Sequence, residues 1–483
     1  MSTSSAAWGA LQAALPSEVV FTDEASRYAA SFDNMRYSQL PAVVLRPEDE
    51  EQVATILRLA NEYRVPVTTR GAGTATTGAA TPSQDGWVLD LGTWKELHID
   101  AESMMAYVQP GVTVAELDAA ARAEGLFYAP DPGSKKYCTI GGTIACNAGG
   151  LRGAKYGVTR DYVYALEGFL PTGEFVRWGL DVRKFVSGYN LRDLWIGSEG
   201  TLGVITGAVM KLLPAPATTV TQLAAFPDEH SALDTAHALL RARLVPSILE
   251  FLDRQTVACF EREATAQGKL DPWLEPYVGG ALLLIETDGS AAEARESADR
   301  IEAILRDAGA TLTRTDDPVE AEQLWVVRRG CSRAMFALGD TKLNEDIVVP
   351  LRAQHDLIDL VAELREETGL ATPTFGHAAD GNFHVHLMYH RDNPAECEAA
   401  KRGVQKLMEA VIEMGGAITG EHGIGRAKSP FLALQHEETE LRLMQALKTT
   451  FDPNHILNPE LWFTPFEIWE HPREDVVLPW DHR

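Results

Sequence analysis

The chain has 483 residues, 45% hydrophobic and 23% charged, a globular composition but too long for one core, so two or three domains are expected. With 43 Lys and Arg against 69 Asp and Glu, the net charge is −26, a field that repels nucleic acid and anionic lipid. It does not forbid an anionic substrate, because a local Arg or metal can dominate a pocket. Residues 1–7 carry no basic leader, and no segment reaches the ~18 apolar residues of a membrane span. The cysteines at 138, 146, 259, 331 and 397 form no C-x-x-C, which excludes an obvious iron–sulfur or Cys-rich zinc module. A soluble cytoplasmic protein is expected.

In chain order, Val53, Ile56, Leu57 and Ala60 give the half-buried face of a helix over Glu51–Tyr63, followed by a strand at Val65–Thr69. Arg70-Gly71-Ala72-Gly73-Thr74 then opens a small-residue turn running to Gly78. Its consecutive N–H groups could form a nest for an anion such as a diphosphate, with Arg70 adding charge. A purely structural turn is the alternative, since the spacing is not G-x-G-x-x-G. Strands follow at Trp87–Leu91 and Met105–Val108, then a capping box at Thr113–Glu116 and a helix ending near Gly125. Residues 130–157 are the most glycine-dense stretch, too rich in small residues for a good helix or sheet core. They suit backbone laid against a flat, bulky ligand, or else a linker, with Ile140, Ile144, Leu151 and Tyr156 as anchors. A hairpin is expected from Ala165–Leu170 and Phe175–Trp178, another glycine turn at Gly197–Gly203 before an apolar strand, and a domain joint at Pro214–Ala217.

Beyond the joint, strands at Leu223–Phe226, Ile248–Leu252, Ala281–Glu286 and Thr311–Arg314 are interspersed with helices at Ser231–Arg243, Ala291–Ala308, Glu320–Ala337 and Pro350–Thr368. That pattern predicts an antiparallel sheet covered on one face. Asp380-Gly381 predicts a two-residue turn with positive φ at both positions. Counting outward, His377 would face His384, with His386 two residues further along the same face. Two adjacent imidazoles start a divalent-metal site that lacks a carboxylate, and Glu421, beside His422 in a Gly-flanked turn, is a candidate. Ordinary polar residues on a sheet surface are the alternative. A last helix is expected at Glu437–Lys448, before a turn-rich F-D-P-N-H-I-L-N-P stop.

The runs R-G-A-G-T, P-D-P-G-S with T-I-G-G, W-I-G-S-E-G-T-L-G-V-I-T, G-H-A-A-D-G-N-F-H, G-E-H-G-I-G-R and F-D-P-N-H-I-L-N-P occur in that order over residues 40–465. Together they resemble the FAD-linked oxidases of the vanillyl-alcohol-oxidase type, in the branch of D-lactate dehydrogenase, D-2-hydroxyglutarate dehydrogenase and the glycolate oxidase flavoprotein subunit. The resemblance implies an α+β fold: a two-part FAD-binding domain over 1–217, an antiparallel-sheet cap domain over 218–420, and a segment 421–483 returning to the FAD domain. Arg70 to Thr74 would hold the FAD diphosphate. Pro132, Gly133, Ser134, Gly141, Gly142, Asn147, Gly149, Gly150 and Gly157, with Glu199, Gly203 and Ile205, would enclose the rest of the cofactor. Members with covalent flavin usually carry a His in the diphosphate loop; none lies between Arg70 and Gly78, so noncovalent FAD is expected.

The resemblance further implies a zinc-like ion on His377, His384 and Glu421, His422 as general base, His386 beside them, and Arg328 on the substrate carboxylate. The position of His386 is usually Asn in the hydroxyglutarate enzymes, and either Lys342 or Asn344 could match their second-carboxylate Lys, so the acid is not assigned. The expected reaction is oxidation of a D-2-hydroxy acid to a 2-oxo acid with hydride transfer to flavin. Electrons would leave to an external acceptor: an electron-transfer protein, a quinone-linked subunit or oxygen. The competing readings are an oxygen-using flavin oxidase of another alcohol or sugar without a metal, a zinc hydrolase, and a non-catalytic flavin subunit.

Overall fold

The computed structural model describes residues 3–479, apart from 267, 269–276, 278, 472 and 477. Residues 1–2 of the N-terminal reading and 480–483 of the C-terminal segment lie outside the described residues. The chain divides into two compact units. The first comprises Met1–Gly150, Val158–Ala215 and Glu421–Trp480; the second comprises Leu151–Gly157 and Pro216–Gly420.

The first unit is built on two sheets. One has the order β1 (Val20–Phe21), β2 (Val43–Leu45), β4 (Trp87–Asp90), β3 (Val67–Arg70), parallel from β2 to β3. Helix Glu50–Tyr63 covers it, capped by the Asp49 carboxylate accepting from Gln52 N at 2.8 Å and stopped by Arg64 in the left-handed region. Its Val53, Ile56, Leu57 and Ala60 are buried with Val43, Leu45, Val67 and Leu89. The C-terminal segment rejoins this sheet where Val67 N donates to Ile456 O and Asn458 N to Val67 O. The second sheet is antiparallel, in the order β5 (Leu97–Asp100), β6 (Met105–Val108), β10 (Val204–Lys211), β8 (Val163–Phe169), β9 (Phe175–Gly179). A two-stranded ladder, β7 (Leu126–Phe127) with β11 (Leu213–Pro214), completes the unit's strands.

The second unit is a seven-stranded, wholly antiparallel sheet in the order β15 (Thr311–Thr315), β12 (Thr218–Phe226), β14 (Ala281–Gly289), β13 (Ile248–Leu252), β17 (Thr374–His377), β18 (Asn382–Tyr389), β16 (Thr341–Val348). Helices cover both faces, not one. Leu223, Ile248, Leu252, Leu282 and Leu284 pack against Val257 and Phe260 of helix Arg254–Ala266 and Leu324 and Trp325 of helix Pro318–Ala334. On the other face Val220 packs on Ala294 and Ala298 of helix Ala291–Asp307, and Gly403 of helix Pro394–Glu413 lies over Leu387.

Two further expectations need correction. The glycine-dense stretch does form helix, a short one at Ile140–Cys146 capped by Thr139 and another at Gly153–Tyr156. The turn joining β17 to β18 has four residues, 378–381, and of these only Gly381 has positive φ, at 84°. The longer turn moves the pairing by two residues: His377 opposes Asn382, and His384 opposes Phe375. Because side chains alternate with period two, an even displacement preserves the face. Phe375, His377, Asn382, His384 and His386 still point to one side.

Candidate active site

In the second unit that side is a polar cluster within an apolar layer. His377 and His384 have ring centroids 5.7 Å apart with planes at 88°, and a ring nitrogen of each lies within 4.8 Å of the other. Glu250, fully buried on β13 directly opposite His377, accepts from His377 Nδ1 through one carboxylate oxygen. In the neutral ring this fixes the tautomer whose Nε2 carries the lone pair, the orientation a metal ligand needs. The other Glu250 oxygen accepts from Arg328 Nε at 2.6 Å, and the guanidinium stacks over Phe375 at 4.1 Å. Burial would raise the Glu250 carboxyl, but its partners His377 and Arg328 outweigh it and hold the group below the usual carboxylate range.

His386 donates Nδ1–H to Pro373 O at 2.9 Å, while its Nε2 is buried with no hydrogen-bond partner among the described residues. Burial, then the charges of Lys342 and His384, push its pKa well below the ordinary value, so the ring is neutral at physiological pH. Its cross-strand neighbour Asn344 likewise buries an unpartnered Oδ1. Lys342, the other residue weighed for a distal carboxylate, donates to Ser332 Oγ at 2.6 Å. Asp346, opposite His384, accepts from Asn382 Nδ2 at 2.6 Å, Thr419 Oγ1 at 2.8 Å and Gly420 N at 2.9 Å.

In the first unit, Gly71–Gly78 follows β3 as a loop without regular structure. Among the described residues, none of its eight backbone N–H groups donates to a protein acceptor, and Thr76 Oγ1 is buried without a partner. That donor set fits an anionic group such as a diphosphate. A side chain at Gly71 would run into Thr139 Oγ1, so the loop sits hard against the start of helix Ile140–Cys146, which carries Gly141 and Gly142. Arg70 folds its guanidinium against Gly73 of this loop, where a side chain at Gly73 would collide with it, and donates to Ala80 O at 3.2 Å and Ala29 O at 3.3 Å. Pro132, Gly133 and Ser134 form a turn in which Lys135 N donates to Pro132 O and Cys138 N to Ser134 O. Asn147 ends its helix in the left-handed region, with Oδ1 accepting from Arg160 N at 2.9 Å. Gly149 lies against the Glu421 side chain, while Gly150 packs on the Asp131 backbone. Gly203 makes room for the Trp195 indole, and Ile205 is buried in β10. Gly157, the C-cap of helix Gly153–Tyr156, belongs to the second unit.

Glu421 and His422 also stand in the first unit, with His422 Nε2 3.8 Å from Glu421 Oε1. Arg426 N and Ala427 N both donate to Thr77 O, which ties their loop to Gly71–Gly78. Glu199 does not spread along the glycine turn that carries it: its carboxylate accepts from Ile424 N at 2.7 Å, Gly425 N at 2.8 Å and Trp462 Nε1 at 2.8 Å.

The matches to known proteins agree with this architecture. Residues 41–179 match the FAD binding domain family, and residues 215–461 match the family of FAD linked oxidases, C-terminal domain. The chain is 38% identical to the glycolate oxidase subunit GlcD of Bacillus subtilis, covering 91% of this chain and 93% of that protein. This chain is an FAD-linked oxidase. The FAD-linked oxidase is also 37% identical to D-lactate dehydrogenase of Anaerostipes hadrus, over 87% of this chain and 89% of that one. Among solved structures it superposes on p-cresol methylhydroxylase with TM-score 0.77 at 16% identity, covering 94% of this chain and 96% of that one. It superposes on 4-ethylphenol oxidase of Gulosibacter chungangensis with TM-score 0.75 at 19% identity, covering 96% and 98%. The fold is therefore of the vanillyl-alcohol-oxidase type, and family membership removes the zinc-hydrolase reading. No helix among the described residues of this FAD-linked oxidase is long and apolar enough to cross a membrane.

Sequence reasoning missed Glu250. The signal was one acidic residue inside the apolar strand I-L-E-F-L, since a carboxylate buried there must be paired.

Proposed function

We propose that this FAD-linked oxidase converts a D-2-hydroxy acid of glycolate or D-lactate size to the 2-oxo acid. Similarity to proteins named glycolate oxidase subunit and D-lactate dehydrogenase supports the substrate class. One observation on this chain carries the reading: the buried Glu250 carboxylate joins His377 to Arg328. An imidazole oriented for a cation and a guanidinium oriented for a carboxylate match the two oxygen functions of a 2-hydroxy acid.

FAD, noncovalently held, supplies the two-electron acceptor, and a divalent cation, most simply zinc, supplies charge that acidifies a hydroxyl. His377 and His384 ligate the cation, with Glu421 as the third protein ligand. Arg328 binds the substrate carboxylate through its η nitrogens, which donate to no described residue while Nε is held by Glu250. The imidazole of His422 takes the hydroxyl proton, help typically worth ~10²–10⁴-fold. Neutral His386 presents a lone pair at Nε2 to a substrate donor. The Gly71–Gly78 amides hold the cofactor diphosphate. We assign the chain to the cytoplasm, where its five cysteines, none joined in a disulfide, are the norm, with electrons passing to an external acceptor.

The test is a panel of glycolate, D-lactate, L-lactate and D-2-hydroxyglutarate with an artificial dye acceptor, before and after chelation. Turnover of a small D-2-hydroxy acid that chelation abolishes is expected. Chelation-resistant oxidation of other alcohols with peroxide release would replace this reading by a metal-free oxidase.

A further inference from the structure

Glu199 is 4% exposed, and the mechanism above gives it no part. Its two carboxylate oxygens receive three N–H groups: Ile424 N on Oε1, and Gly425 N and Trp462 Nε1 on Oε2. The first two donors belong to the turn immediately after Glu421 and His422. Gly423 sits with φ 83° so close that a Cβ there would collide with Glu199 Oε1, and Gly425 has φ 52°. The backbone of this turn is thus wrapped onto the carboxylate. Glu199 itself stands at φ 51°, a conformation a non-glycine residue rarely adopts, with its carbonyl accepting from Asn458 Nδ2 at 2.8 Å. A turn with two left-handed glycines, wrapped on a buried carboxylate that accepts three N–H groups, is more than loop closure needs.

We propose that Glu199 is a positioning residue: it fixes the Ile424–Gly425 backbone and thereby aims Glu421 and His422, without touching substrate or cofactor. This rests on the reading of Glu421 and His422 as site groups. A carboxylate suits the position because each of these three partners, Ile424 N, Gly425 N and Trp462 Nε1, is a donor. A glutamine would turn its NH₂ against Ile424 N–H or against the Gly425 and Trp462 pair.

The experiment compares Glu199→Gln, Trp462→Phe, His422→Ala and the double variant Glu199→Gln/His422→Ala as holoenzymes. Glu199→Gln is expected to lower kcat by about 10- to 100-fold, the scale of a ~1 Å misplacement of catalytic groups, with KM and FAD affinity within about twofold of wild type. Trp462→Phe, which removes one donor and keeps the others, should lower kcat by a few-fold and serves if Glu199→Gln does not fold. The double variant should lose less than the product of the two single losses, since one of the two aimed groups is gone. Unchanged kcat in both single variants, loss of flavin from a folded Glu199→Gln, or losses that multiply in the double variant would overturn the proposal. Full activity of His422→Ala would instead overturn the assigned base, and it is read from that variant alone.

Discussion

Glu250 and His377 face each other across adjacent strands, and the carboxylate holds the imidazole by its Nδ1 proton. Outer partners of this kind typically contribute ~10–100-fold to metal affinity. Glu250→Gln should therefore weaken cation binding by about that factor. It should also raise KM for the hydroxy acid, because the amide NH₂ opposes Arg328 Nε–H. Metal content after dialysis and KM at saturating metal separate the two effects. A variant with wild-type metal content would show that the carboxylate serves only the fold.

Removing a ligand should separate metal from flavin. His384→Ala is expected to lose bound metal and dye-reducing activity while keeping the flavin spectrum, as the donors proposed for FAD, on Gly71–Gly78, belong to the other unit. Elemental analysis beside the visible spectrum checks this. Equal metal in variant and wild type would remove His384 from the ligand set.

His422→Ala should cut kcat by about 10²–10⁴-fold and change the affinity for the 2-oxo acid product far less. Stopped-flow flavin reduction and product titration measure the two quantities. Unchanged flavin reduction would end the base assignment.

Acid precipitation of the holoenzyme should release the yellow colour to the supernatant, because no His stands in the Gly71–Gly78 loop. Colour retained in the pellet would mean a covalent link elsewhere.

Asp33 supplies a pH prediction. It is 1% exposed, and burial pushes its carboxyl from 3.8 to about 6, against the opposing hydrogen bonds from Met35 N and Ala80 N and the charges of Arg70 and Arg426. A raised acid pKa means the folded state binds the proton more tightly, so this contribution is fully present below about pH 3.8 and is lost as pH rises past about 6. The span corresponds to roughly 3 kcal/mol. The melting temperature of Asp33→Asn relative to wild type should therefore rise between pH 4 and pH 7. A pH-independent difference would mean that Asp33 is ionised at no cost.

Much of the second unit was legible because its strands Ile248–Leu252 and Ala281–Gly289 are apolar runs and its helices carry clear stripes. Strand Thr341–Val348 was not, for a physical reason. Its Lys342, Asn344 and Asp346 point into the polar cluster instead of into solvent, so the expected contrast between wet and dry faces is reversed. The histidine face was read correctly on a wrong register, since only the parity of the count mattered. Glu250 and the three-donor pocket of Glu199 were invisible as relationships. The first needed the order of strands, and the second needed two segments 225 residues apart to meet.

The four-residue connection between Thr374–His377 and Asn382–Tyr389 also limits how this protein can drift. Deleting or inserting one amino acid there would carry His384 and His386 through the sheet to the layer of Ala298 and Gly403, leaving His377 and Glu250 behind. Gaining or losing two would slide the strand and keep every imidazole on its own side. Length variation among descendants of this gene should therefore come in pairs at that bend.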